Sequence, residues 1–389
     1  MKIRYTDRSM IMRFGAGPLT VSDEMGARLM REKKAIPITS FETPPIDKDL
    51  RDDKGRERLN QPKKTTGLRP RVGWVQDTGK FGGAELSNLQ VVKVGEELGY
   101  DFYTCTPSNF SKGKLITCDF LVVNNFFLFK PEQYHFILDL LFEHSKPYVK
   151  YEHDHREIMG TEARPKLARA LFGRSFLNVF ISPFQVENHR KYLGDLIEPY
   201  YLLPPAVDTG RFKIIRGIER DPKLMVNTSG RLFESKGYYR MLQFALSKKK
   251  YNFEIYSRNY RDIEKPFEQL KNVRVFPPVE NDYLPQVYNR AAYTVHLPQA
   301  YEACGRTIAE GVLCGCEPIM NDNVGIKSFK EFHLGDKRLF KYEKFKCCIE
   351  QGPYSFWKAV WRYYNGLDKV SLGNMSNGWK YYIGWKKHV

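Results

Sequence analysis

Nowhere in the 389 residues do eighteen apolar side chains follow one another, so no segment predicts a membrane-crossing helix. The opening MKIRYTDRSMIMRFGAG lacks the apolar core of a secretory leader, which points away from export. Cysteine is sparse and unpaired in spacing. The seven, Cys105, Cys118, Cys304, Cys314, Cys316, Cys347 and Cys348, are odd in number and show no paired metal-ligand pattern. Neither a disulfide framework nor a zinc site is indicated, and a reducing cytoplasm is the expected compartment. Acidic residues are also in deficit, 45 against 62 Lys plus Arg, for a net charge of +17. That excess attracts polyanions through a salt-dependent, sequence-blind force. Nucleic acid, an anionic membrane surface touched from one side, and a diphosphate substrate all fit it, as does a basic protein with no such partner.

What is present suffices for packed interiors. At 42% hydrophobic and 14% aromatic residues, a chain of this length predicts two cores rather than one. Residues 1–42 read as a small appendage, with a strand near Lys2–Tyr5 and a helix capped by Ser22 or Asp23. Residues 43–70, TPPIDKDLRDDKGRERLNQPKKTTGLRP, are charged, rich in Pro and Gly and poor in large apolar groups, which reads as a basic linker or surface arm. From Arg71 short apolar runs alternate with helical segments. The alternation pauses at Leu202-Leu-Pro-Pro-Ala-Val-Asp208 and resumes at Leu224, predicting an α/β chain with two parallel sheets over 71–205 and 206–350. The aromatic tail 351–389 reads as helices packing back across the junction.

Three segments carry the chemistry. After the strand ending at Val75, Gln76-Asp-Thr-Gly-Lys-Phe-Gly-Gly-Ala-Glu85 is a glycine-rich turn opening onto a helix, whose amides can face an anion or a sugar. Gly82 and Gly83 also fit the plainer need of a tight turn. After the strand Leu224–Val226, Ser229-Gly-Arg-Leu-Phe-Glu-Ser-Lys-Gly237 sets Gly230, Arg231 and Lys236 where ligands bind in open sheets. Two cations there would stabilise a departing diphosphate, while surface ion pairing is the rival reading. In Glu302-Ala-Cys-Gly-Arg-Thr-Ile-Ala-Glu310, the amides near Gly305, Arg306 and Thr307 can receive phosphate oxygens. Glu310, two turns along, suits the vicinal hydroxyls of a ribose. Cys304 has no base nearby in sequence, which argues against a nucleophile.

YEACGRTIAEGVLCGCEPIMND resembles the donor-binding signature of the family-four retaining glycosyltransferases. GRLFESKG is similar to that family's diphosphate motif, PPAVDTGRF to its interdomain segment and FGGAE to its amino-terminal glycine loop, in the same order. The resemblance spans residues 72–325. It implies a GT-B fold, two Rossmann-like domains facing across a cleft, the small appendage preceding them. It further implies transfer with retention at the anomeric carbon, without a metal or a tightly bound cofactor, from a nucleotide sugar, with UDP-sugars favoured. By it Arg231 and Lys236 would hold the diphosphate, Glu310 the ribose and Glu302 the hydroxyls of the transferred sugar. Cys304 stands where a bulky Phe is common, and Arg306 where an apolar residue is usual, so contacts to phosphate or sugar are expected to differ there.

Tyr148-Val-Lys-Tyr-Glu-His-Asp-His155 ends a predicted strand in a cluster of ionisable groups. A metal site is one reading, although adjacent side chains of a His-Asp-His run rarely reach one ion. In the same family a His at this strand end meets the donor sugar, and His153 followed by Asp154 matches it. Glu152, Asp154 and His155 are then candidates for the acceptor side. The octet also resembles the phage DNA α-glucosyltransferases, which implies a hydroxymethylated base as acceptor and duplex DNA as partner, with the base flipped out. A cell-envelope lipid or polysaccharide is the second acceptor reading, with Ala168–Phe176 as a short candidate membrane helix. A basic nucleic-acid-binding protein without catalysis is the third.

Overall fold

The computed structural model describes residues 70–77, 82–155, 158 and 164–366, together with the backbone of three short strands before them. Those strands, β1 (Lys2–Tyr5), β2 (Leu19–Thr20) and β3 (Ala35–Pro37), form an antiparallel sheet in the order β2-β1-β3. They belong to a compact unit over residues 1–67; residues 68–389 form a second. The helix expected after Ser22, the arm over 43–69 and the tail beyond residue 366 lie outside the described residues.

The second unit holds two all-parallel sheets. The first comprises β4 (Arg71–Val75), β5 (Asp101–Cys105), β6 (Phe120–Val123), β7 (Tyr148–Glu152), β8 (Leu177–Phe180) and β9 (Tyr200–Leu202), in the order β5-β4-β6-β7-β8-β9. Its central strands are buried on both faces, which is why Phe-Leu-Val-Val at β6 is an unbroken apolar run. Its helices are α1 (Gly83–Glu97), α2 (Lys112–Ile116), α3 (Pro131–Phe142), α4 (Pro165–Arg174) and α5 (Pro183–Leu193). Prolines open α3, α4 and α5 at the turn where a missing N–H costs nothing.

The second sheet comprises β10 (Asp221–Asn227), β11 (Asn252–Tyr256), β12 (Val273–Phe276), β13 (Ala291–His296) and β14 (Glu317–Met320), in the order β12-β11-β10-β13-β14. Its helices are α6 (Tyr238–Ser247), α7 (Tyr260–Glu268), α8 (Leu284–Arg290) and α9 (Arg306–Leu313). The last described helix, α10 (Tyr342–Gly366), follows this second lobe in sequence yet joins the core of the first. There Trp357 is 1% exposed, donates its indole N–H to the Val91 carbonyl at 2.7 Å, and meets the rings of Tyr100, Phe102 and Trp74.

Each sheet reverses direction once, between β4 and β6 in the first lobe and between β10 and β13 in the second. Crevices open at the carboxyl ends of strands at such switch points. The residues singled out by sequence follow those strands.

Candidate active site

A cleft of about 300 Å³ lies between the lobes. Its first-lobe wall follows three strand ends: Gln76 and Asp77 after β4, Asn124 and Asn125 after β6, and His153 and Asp154 after β7, with Asn88 joining from α1. Its second-lobe wall is made by Lys236, Glu302, Cys304, Gly305 and Arg306.

On the second-lobe wall Gly305 starts α9 with φ at 87°. A side chain there would be strained by that backbone, and a Cβ would also fall 2.5 Å from Val324 Cγ1, so glycine is required. The Glu302 carboxylate pairs with Lys236 Nζ, and His296 Nε2 stands 3.5 Å from the same oxygen. Burial alone would raise the Glu302 pKa, but His296 and Lys236 outweigh it and hold the carboxyl below the usual range. His296 in turn contacts Ser229 Oγ through Nδ1 at 3.0 Å, tying the Ser229–Gly237 loop to Glu302.

On the first-lobe wall His153 is 9% exposed. Its Nε2 meets Asn88 Oδ1 at 2.9 Å and Asn124 Oδ1 at 3.0 Å. Burial, with Lys150 adding to it, lowers the His153 pKa to about 3 against the opposing pull of Asp154, so the ring is neutral near pH 7. It therefore serves as a hydrogen-bonding group and not as an acid/base catalyst there. Asp154 lines the cleft and accepts from Asn125 Nδ2 at 2.9 Å.

Arg306 joins the two walls. Its Nη1 donates to Ser87 Oγ on α1 at 2.7 Å and to the Ala206 carbonyl at 2.6 Å, while Nε donates to Glu310 Oε1 at 2.7 Å. The departure at this position is thus an interlobe clamp built on the donor-signature helix.

No family model matches the chain, and no curated protein is significantly similar to it in sequence. Solved structures are similar in fold. HepE of Anabaena, in complex with UDP and glucose, shares 14% identity over 82% of this chain and 100% of its own, with a TM-score of 0.52. Sucrose-phosphate synthase from Thermosynechococcus elongatus shares 12% over 77% of this chain and 100% of its own, at 0.58. An α-glucosyltransferase in complex with UDP and a 13-mer DNA containing an HMU base shares 13% over 80% and 95%, at 0.51. The fold is GT-B.

In this GT-B chain the cleft gathers Gly83, His153, Asp154, Lys236, Glu302, Gly305 and Arg306 from among the residues singled out by sequence. Others are placed elsewhere. Arg231 is exposed with its guanidinium 5.8 Å from the Phe233 ring, because the buried Leu232 turns its neighbours outward; Gly230 is exposed beside it. Gly82 and Thr307 are half-buried beside the cleft and not on its wall. Glu310 is 3% exposed and covered by Arg306. Burial raises its pKa, with Arg306 opposing.

Two acceptor-side candidates are also corrected. Glu152 is fully buried, paired with Lys150 Nζ at 3.0 Å, and accepts the Asp154 amide at 3.0 Å, so it braces the strand end from inside. His155 is 8% exposed, off the cleft wall, among Asn188, His189 and Phe184. Cys304 does line the cleft, but burial pushes its thiol well above the ordinary range and makes it a poor nucleophile. The pairs Asn88/Asn124 and Asn125/Asp77, and His296 at the end of β13, escaped the motif reading. The only sequence signal for them is position just past a buried strand, or, for Asn88, on the first helix.

Proposed function

We propose that the chain is a retaining glycosyltransferase that moves a sugar from a UDP-sugar to an acceptor hydroxyl, with a hydroxymethylated base in duplex DNA as the leading acceptor. One observation carries the reading: Lys236, Glu302 and the start of α9 face His153 and Asp154 across a single cleft. The nucleotide sugar binds on the second lobe. Its diphosphate lies against Lys236 and the first amides of α9, where positive charge and orphan N–H groups stabilise the leaving group.

Arg231 stands off the cleft, so the second cation in this reading is Arg306. On donor binding Arg306 turns from Glu310 to the phosphates, which frees the carboxylate for the ribose. Glu302 and His153 hold the hexose hydroxyls from opposite walls. The acceptor hydroxyl enters from the first lobe and attacks on the face that the diphosphate leaves, and a phosphate oxygen takes its proton. No carboxylate then needs to become covalently linked.

Duplex DNA is supported by the net charge of +17 and by the local likeness at Tyr148–His155. The membrane reading loses its helix. Ala168, Ala170, Leu171 and Phe172 are all 0% exposed and Phe176 is 7%, so that segment has no apolar face to offer a bilayer. The test is a panel of UDP- and GDP-sugars incubated with unmodified and hydroxymethylated duplexes and read by mass spectrometry. The expected result is hexose added only to hydroxymethylated DNA and only from a UDP donor. Binding of DNA without consumption of any donor would favour the non-catalytic reading instead.

A further inference from the structure

Two polar atoms on the first-lobe wall are forced by the groups behind them to act as hydrogen-bond acceptors. For His153 the constraint starts at atoms whose roles admit no choice. The Trp74 indole N–H can only donate, and it donates to Gln76 Oε1 at 3.0 Å. Asn88 Nδ2 donates to that same oxygen at 2.8 Å, which turns Asn88 Oδ1 to His153. The Val75 carbonyl can only accept, and it takes Asn124 Nδ2 at 3.1 Å, which turns Asn124 Oδ1 to His153 as well. Two amide oxygens meeting at Nε2 require a proton on that nitrogen. In a neutral ring, Nδ1 is then a bare lone pair.

Asn125 is held in the same way. Its Nδ2 donates to Asp154 Oδ2 at 2.9 Å, and exchanging oxygen for nitrogen would set the amide oxygen against a carboxylate. Oδ1 therefore points elsewhere, buried and without a partner among the described residues, in a side chain that is 9% exposed and lines the cleft. A native protein keeps such an unmet acceptor at a lasting cost, and functional sites are where that occurs. Asp77, Asn124, Asn125, His153 and Asp154 bring no cation to this wall, so it suits a neutral, hydroxyl-rich group and not a diphosphate.

We propose that this wall is a hydroxyl-reading subsite in which Asn125 Oδ1 and His153 Nδ1 each accept from a hydroxyl of the hexose carried by the donor. Asn88 and Asn124 are the positioning residues that keep His153 in the tautomer able to do so. The assignment rests on the donor reading above and adds two asparagine layers to it.

Calorimetric titration of the full chain with UDP and with UDP-glucose tests it, alongside nitrogen-detected NMR of the histidine tautomers. Asn125→Ala should weaken UDP-glucose about tenfold relative to UDP, the loss of one net hydrogen bond, and should not lower the thermal midpoint, because an unmet acceptor is removed. Asn124→Ala should show the same selective loss, with the His153 proton no longer confined to Nε2. Equal losses for both ligands, no selective loss, or a wild-type proton on Nδ1 would each overturn the proposal. A wild type that binds neither ligand removes the donor reading itself, while the tautomer spectrum still decides the lock.

Discussion

Lys236 and Glu302 neutralise one another in the empty cleft, and the pair explains how a lysine can wait at a phosphate site without costing stability as an isolated buried charge. A diphosphate competes for that lysine, and its charge grows as the glycosidic bond breaks, so the interaction strengthens toward the transition state. Lys236→Ala should therefore lower turnover at least about a hundredfold while raising the donor KM less, as measured by initial rates. Glu310 gives a sharper case. Its carboxylate meets a guanidinium and not solvent, so Glu310→Gln leaves Arg306 without its charge partner as well as weakening any ribose contact. The expected outcome is a donor KM raised roughly tenfold or more, with Arg306→Ala failing to restore it. Sequence pattern located both glutamates, Lys236 and Gly305 correctly in the fold. It could not show that Glu310 is covered, because the covering group is defined only by a turn of helix and by Ser87 on the other lobe.

At the scale of elements, the strand ends do more than display side chains. The end of β7 rests on a buried layer of Lys150, Glu152, His155 and His189, all inside the first lobe. Burial pushes the His155 pKa down to about 4, that of His153 to about 3 and that of His189 well below its ordinary value. The unfolded chain binds protons on these rings near pH 6.5, the folded chain only at lower pH, so the unfolded state holds more protons in between. Stability from the three rings is fully present above about pH 6.5 and is lost as pH falls toward 4. Urea unfolding at pH 7 and pH 5 should differ by several kcal/mol, on the order of 2 kcal/mol per ring from 1.36 kcal/mol per pH step. His155→Gln should flatten that dependence. The helix α10 offers a second case: Trp357→Ala empties the seam between α10, α1 and β4 and should cost roughly 3–5 kcal/mol by the same unfolding measurement. Alternating apolar runs made the strands and helices legible because parallel strands buried on both faces leave no polar period to mistake. The asparagines behind His153 were not legible, since their meaning depends on three strand ends meeting.

Across the whole molecule, charge and cleft chemistry divide the work of recognition. The net +17 attracts any polyanion, yet the first-lobe wall carries Asp77 and Asp154 and no cation, which would repel a phosphate backbone brought into the cleft itself. A duplex acceptor therefore has to bind by its backbone outside the cleft and send only an uncharged base into it, which is what base extrusion achieves at the expense of unstacking. This makes binding and transfer separable. Affinity for a duplex should fall about 10³-fold or more between 50 and 200 mM salt if six or more phosphates are contacted, as measured by fluorescence anisotropy. Turnover at saturating duplex should change far less, because the reacting groups lie in a cleft between the lobes, away from the screened surface. Asp154→Asn should leave the salt slope unaltered while changing turnover. Duplex binding indifferent to salt would remove DNA from the acceptors and leave an uncharged polyhydroxyl compound as the class that the cleft wall fits.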